Sequence, residues 1–372
     1  MGGQNESMSD SFAERLLAWF GERKRDLPWR KNKNPYHVWV SEIMLQQTRV
    51  ETVIPYFERF IARFPTIHDL AEAPEADVLK MWEGLGYYSR ARNLQAAVRE
   101  VQASYGGVVP SDAVQIATLK GVGPYTAGAI LSIAYDVPEP AVDGNVLRVM
   151  TRYKLLYDDI AKAKTRVRIE NILRPLIPLQ APGDFTQALM ELGSLVCVPK
   201  NPKCDICPVA ADCEAKLAGV QSELPVKTKA KQPRAEFRAV AFVQRMIGGE
   251  RKFLLRRRPE QGLLAGLWEC PHIEHDDTQT DIPLLSEHCA AEYGIPMQRS
   301  ERMPDFEHVF SHIHWHLRVY RFHVDDEFHG NDAKHVGVDG LPEHVRWVSV
   351  RELGDYTLPL VFSKIIRQGV SV

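Results

Sequence analysis

No apolar run reaches the roughly 18 residues that a membrane helix needs, and the amino terminus has no apolar signal core. A soluble, cytoplasmic protein is therefore expected. Neither sign of charge dominates: 46 Lys and Arg face 48 Asp and Glu, for a net charge of −2. A nucleic-acid partner would thus have to be met by local patches, not by the chain as a whole. At 45% hydrophobic and 25% charged residues, nothing in the composition points to disorder, collagen or coiled coil. Cysteine is scarce, six in 372 residues, and not spread as a disulfide framework would be. The length suits two or three domains.

Four of the cysteines are close together: Cys197-x6-Cys204-x2-Cys207-x5-Cys213. Such a group reads as a four-thiolate metal centre. Zinc and a [4Fe–4S] cluster both accept four thiolates. Structural zinc sites usually pair two Cys-x2-Cys knuckles and only one is present, so the spacing leans toward the cluster. Cys270 and Cys289 lie far away and read as small buried hydrophobes.

From Ser11 to about Leu217 the apolar residues recur with helical spacing, as in Phe12, Leu16, Trp19 and Phe20. Further helices are expected around 38–45, 53–60, 75–82, 88–104, 125–135, 143–156, 162–177 and 184–196. Residues 1–10 are polar and expected to fray. Residues 219–235, with Lys227, Lys229, Lys231, Pro233 and Arg234, read as an extended basic linker. Beyond it, Arg238–Arg245 and Lys252–Arg256 read as strands joined by a Gly248-Gly249 turn. His314–Phe322 reads as a third strand, and Pro283–Tyr293 as a helix stopped by Gly294. This part is a smaller α+β domain.

Two helical segments meet at Leu119-Lys-Gly-Val-Gly-Pro-Tyr125. Gly121 and Gly123 permit a turn with positive φ, and Pro124 suits a first helical turn. Backbone N–H groups at such a helix start can hold a phosphate, although a plain helix corner would use the same residues. Eighteen residues past Tyr125 stands Asp143, in Val-Asp-Gly-Asn-Val-Leu-Arg, where it also fits a helix N-cap. The hairpin, the Asp and the cysteine loop, in this order, resemble the endonuclease III-type superfamily of DNA glycosylases. The resemblance implies a [4Fe–4S] cluster on Cys197, Cys204, Cys207 and Cys213. Leu27-Pro-Trp-Arg30, Trp39–Thr48 and Glu83–Arg90 look like the adenine DNA glycosylase (MutY) family, and the likeness covers almost the whole chain.

The family resemblance implies a mostly α catalytic region over 1–218. Its parts would be a six-helix barrel at about 27–134 and an iron–sulfur helical domain at about 1–26 and 135–218. A linker at 219–235 and a Nudix-like α+β domain at 236–372 follow. It implies removal of adenine opposite 8-oxoguanine or guanine in double-stranded DNA, by a protein expected to be a monomer. Breaking an N-glycosidic bond needs a proton for the leaving base and a negative charge beside an oxocarbenium-like sugar. Glu42 lies among Val40, Ile43, Met44 and Leu45, which should keep it protonated. The resemblance makes it the acid and Asp143 the ionised partner at the sugar. Tyr125 occupies the slot where strand-nicking relatives carry a Schiff-base lysine, so a glycosylase without lyase activity is expected. Trp29, Arg30, Val50 and Gln187 match the adenine pocket. Gln47 and Tyr87 match residues wedged beside 8-oxoguanine, with Thr48 and Leu85 flanking.

Eight basic residues between Arg148 and Arg174 form a candidate phosphate-facing patch, and Lys200 and Lys203 lie inside the cysteine loop. In the carboxy-terminal part, Leu284–Gly294 lacks the glutamate array that holds Mg²⁺ in Nudix hydrolases. Base recognition through Phe310, Ser311 and His312 is therefore expected instead of nucleotide hydrolysis. His312, His314 and His316 share a strand face. With no carboxylate or cysteine evident beside them, they read as a histidine-rich strand and not as a metal site.

Overall fold

The computed structural model describes residues 3–229, 231–298, 300–324 and 341–370, without the side chains of 3–11. Contacts divide the chain into two compact units, Met1–Met81 with Ser89–Lys229 and Trp82–Tyr88 with Ala230–Val372.

The first unit is helical, with α1 Gly3–Arg23, α2 Pro35–Leu45, α3 Val50–Arg63, α4 Ile67–Glu72, α5 Glu75–Trp82 and α6 Ser89–Ser104. Then come α7 Ala113–Thr118, α8 Pro124–Tyr135, α9 Gly144–Tyr153, α10 Ala163–Leu173, α11 Pro182–Leu195 and α12 Glu214–Leu217. Local signals explain several starts. The Asn34 side chain caps α2 through the N–H groups of Tyr36 and His37, and Thr66 and Asp69 form a capping box on α4. The apolar face of α3, Val53, Phe57 and Phe60, is buried at i, i+4, i+7. Every residue of α8 from Thr126 to Ile133 is buried, as befits a central helix. A Cβ at Gly128 would lie 2.2 Å from the Pro140 carbonyl oxygen, so only glycine lets α8 approach that loop. Phe12, Leu16 and Phe20 of α1 share one core with Val146 and Met150 of α9 and with Phe185, Leu189 and Leu192 of α11.

The fraying expected over 1–10 gives way to a helix that begins at Gly3. Polar residues carry no apolar period to announce it. The short helix α4 was not expected, because six residues hold too few apolar repeats to read, whereas α7 is the helical segment expected to lead into the hairpin.

The second unit is built on an eight-stranded mixed sheet. Its strands are β1 Arg234–Ile247, β2 Glu250–Arg257, β3 Trp268–Glu269, β4 His272–Glu274, β5 Ser300–Arg302, β6 Phe306–Val309, β7 Ile313–His323 and β8 Val345–Ser349. β1 and β7 pair in parallel at the centre, and every other pairing is antiparallel. Gly248 and Gly249 turn β1 into β2 with φ of 59° and 80°, a two-residue hairpin of the mirror-image type. β1 alternates: Val240 and Phe242 pack with α14 (Leu360–Val370), whereas Ala239, Ala241 and Val243 pack with α13 (Asp281–Tyr293). The helices thus cover opposite faces, and Gly294 ends α13 in the left-handed conformation as expected. Cys270 and Cys289 are fully buried.

The expected linker is shorter than its composition suggests. Leu224 is buried, Ile160 N–H donates to the Val226 carbonyl, and Thr228 hydrogen-bonds Asp159, all within the first unit. Arg234 and Ala235 already pair with β7. Among the described residues, no helix is long and apolar enough to cross a membrane.

Candidate active site and metal centre

A cleft of about 1000 Å³ opens in the first unit. Glu42 of α2, Tyr125 of α8 and Asp143 at the start of α9 line it, with Trp29, Arg30, Gln47, Thr48, Val50 and Gln187. Residues far apart in sequence therefore converge. Glu42 is 5% exposed, and burial pushes its carboxyl up to about 7, against a hydrogen bond that would lower it. That bond is donated by the Tyr125 hydroxyl to Glu42 Oε2. Burial, together with the nearby Glu42 and Asp143 charges, keeps the Tyr125 hydroxyl protonated and a donor. Asp143 caps α9 by accepting from Val146 N–H at 2.7 Å, and it also accepts from Asn145 Nδ2 at 2.7 Å. Burial raises its carboxyl above the ordinary value, opposed by these hydrogen bonds.

The wall around Arg30 carries a residue the sequence did not reveal. Glu191 on α11 is 1% exposed and takes Arg25 at 2.8 Å and Arg30 at 3.0 Å. Burial opposes its ionisation, but the hydrogen bonds from the two guanidiniums win and hold it at about 2. An isolated acid among Ala188, Leu189, Met190 and Leu192 was its only sequence signal. Gln187, expected to offer its amide to adenine, is engaged within the protein. Its Oε1 accepts from Arg30 Nε at 3.0 Å, and its Nε2 donates to the Gly183 carbonyl at 3.3 Å. Trp29 is buried edge-on against Phe57, and Val50 opens α3, half-buried.

At the hairpin, Gly121 adopts φ of 78°. Gly123 does not share the expected positive φ. It sits at −90°, an extended N-cap of α8 that any residue could adopt. Both glycines and Lys120 are exposed. Gln47 is exposed at φ of 59° and Thr48 half-buried. Leu85 and Tyr87 fall in the second unit; Tyr87 is 46% exposed at φ of 48°, whereas Leu85, expected at the lesion, is buried. The left-handed region is sparsely populated by non-glycine residues. In the second unit, Phe310 N–H donates to the Ile313 carbonyl at 2.7 Å, which turns β6 into β7. Ser311 and His312 stand exposed at the tip, and Phe310 packs edge-on against Trp315.

Cys197, Cys204, Cys207 and Cys213 all line one small void of about 30 Å³. Burial pushes the Cys207 thiol up to about 11, and neighbouring thiolates add to it. Four thiols around one void cannot ionise together unless a cationic centre compensates them, so this donor set fits an iron–sulfur cluster. The surroundings are cationic. Arg152 lies with Nη1 3.3 Å from Cys197 Sγ and also donates to the Val198 and Pro199 carbonyls. Arg148 donates to the Cys197 carbonyl at 2.7 Å. This corrects the expected basic patch: Arg148 and Arg152 are buried and serve the cysteine loop. Arg168 and Arg174 pair with Asp158 and Glu139, and Arg166 bonds the Val142 carbonyl. Lys162, Lys164, Lys200 and Lys203 remain exposed.

Residues 40–175 match the HhH-GPD superfamily base excision DNA repair protein, and 197–213 match the iron–sulfur binding domain of endonuclease III. Residues 241–368 match the NUDIX domain. The fold and site therefore define a DNA N-glycosylase of base excision repair that carries a [4Fe–4S] cluster. A solved thermostable thymine-DNA glycosylase overlays 57% of this chain and 99% of its own, at 26% identity and a TM-score of 0.52. Adenine DNA glycosylase of Mus musculus is 35% identical, covering 96% of this chain and 77% of its own. The protein of the same name from Buchnera aphidicola is 33% identical, over 90% and 93%. The chain belongs to the adenine DNA glycosylase family.

Proposed function

We propose that the protein hydrolyses the N-glycosidic bond of adenine opposite 8-oxoguanine or guanine in duplex DNA, leaves an abasic site without cutting the strand, and acts as a monomer. The observation that carries this reading is a buried Glu42, its carboxyl pushed up to about 7, in the same cleft as Asp143. An adenine extruded from the duplex could enter this cleft. Protonated Glu42 then donates to the leaving base, whose N-glycosidic electron pair departs with it. Asp143 in its ionised form faces the positive charge that develops on the sugar. The Glu42 carboxylate left behind can take a proton from the water that completes the hydrolysis. Tyr125 offers a hydroxyl and no amine, so it cannot form an imine with the opened sugar.

Cys197, Cys204, Cys207 and Cys213 would hold the cluster, whose bonds to four thiolates cross-link their loop. Lys200 and Lys203 on that loop are exposed toward solvent and suited to phosphates. In the second unit, the Ser311 hydroxyl and His312 imidazole at the β6–β7 tip offer hydrogen bonds to an oxidised base. Single-turnover reactions on a duplex with one adenine opposite 8-oxoguanine test the reading. Strand breaks are expected only after alkali. Breaks without alkali would refute the role of Tyr125, and no breaks from protein with an intact cluster would refute catalysis. Size-exclusion chromatography checks the monomer.

A further inference from the structure

A second cluster of metal-binding side chains lies on the sheet of the second unit, apart from the cysteine loop. His314 and His316 are alternate residues of β7 and so share one face. β6 runs antiparallel beside them with Glu307 directly opposite His316. This register supplies the carboxylate that the sequence pattern lacked, because Glu307 lies seven residues before His314 and only strand pairing unites them. One carboxylate oxygen is 3.2 Å from His314 Nε2 and the other 3.4 Å from His316 Nδ1. The two rings lie 4.1 Å apart, and the three ligand atoms fall within 4.8 Å of one another. A tetrahedral zinc ion with bonds of about 2.0–2.1 Å spaces its ligands about 3.4 Å apart, so the donors already stand at coordination spacing. His316 is further fixed by stacking on Phe237 at 5.0 Å. The histidine side chains are 28% and 29% exposed and Glu307 64%, which leaves an ion a path from solvent.

We propose that Glu307, His314 and His316 bind a divalent transition ion of the zinc class, with the remaining coordination taken by water. Two imidazoles and one carboxylate suit such an ion better than Mg²⁺ or Ca²⁺, which prefer oxygen alone. Bound there, the ion would join β6 to β7 just below the turn that presents Ser311 and His312. Isothermal titration of the cluster-loaded full chain with Zn²⁺ tests the site. One saturable equivalent is expected, lost in the His314→Asn/His316→Asn double variant. Glu307→Gln, an exposed change that leaves the sheet intact, should weaken it by about tenfold or more. Circular dichroism and the cluster's visible absorption should be unchanged in the variants. No binding to the wild type, binding that survives in the double variant, or undiminished binding in Glu307→Gln overturns the proposal; a hydrogen-bonded His–carboxylate group without an ion is then what the structure holds.

Discussion

Replacing Tyr125 by Phe removes the hydrogen bond donated to Glu42. That bond favours the ionised carboxylate and so opposes the upward push of burial. Its loss therefore raises the Glu42 pKa. A hydrogen bond to a charged group is worth about 1.5–3 kcal/mol, and about 1.4 kcal/mol corresponds to one pH unit, so the expected shift is about one to two units upward. The starting point matters. At pH 7 a carboxyl at its ordinary 4.5 is protonated in about one molecule in 300, whereas one held at about 7 is protonated in about half. Because the protonated form is the acid, base release should fall about tenfold per pH unit above the Glu42 pKa. Single-turnover rates across neutral and alkaline pH should show this limb in the wild type. In Tyr125→Phe the limb should lie about one to two units higher, whatever happens to the maximal rate. A limb that moves down, or stays in place, refutes the coupling between Tyr125 and Glu42.

Three further outcomes are expected. Asp143→Asn keeps an N-cap for α9 but removes the negative charge, so base release should vanish while gel-shift affinity for the mismatched duplex persists; retained activity would remove Asp143 from the mechanism. The raised Glu42 pKa stabilises the fold relative to an ionised site below about pH 4.5, and that contribution is lost as pH rises through about 7. Glu42→Gln should thus raise the melting temperature more at pH 8 than at pH 5, by an amount corresponding to about 2–3 kcal/mol between the two, and equal effects would mean Glu42 is not held neutral. Glu191 is the opposite case, held at about 2, so its contribution is present above about 4.5 and lost as pH falls toward 2. Glu191→Gln leaves Arg25 and Arg30 without their acid and should cost about 3–5 kcal/mol near neutrality and much less near pH 3; a neutral substitution would show the pairs to be dispensable.

Much of this was legible because the informative residues sit close together in the chain. The cysteine loop spans 17 residues, the hairpin and Asp143 announce themselves by local pattern, and Gly248-Gly249 marks a hairpin directly. Apolar spacing found the long helices. What escaped depends on partners distant in sequence. Glu191 becomes part of the site only when α11 meets Arg25 and Arg30, and Glu307 joins two histidines only through strand register. Arg148 and Arg152 looked like surface charge because spacing cannot say which way a basic residue faces. Gln187 read as a free amide, since nothing local shows that Arg30 reaches it. Strands β3, β4 and β5 are too short for alternation to register.

Helix α9 gives the cluster a reach beyond its own loop. Asp143 caps one end of this ten-residue rod, while Arg148 and Arg152 farther along it grip the backbone of the cysteine loop. The cap and Arg152 are nine residues apart, about 14 Å of stiff helix. One rigid element therefore carries both a carboxylate of the cleft and the arginines that hold the cysteine loop, so cleft and cluster loop share a single helix as their frame.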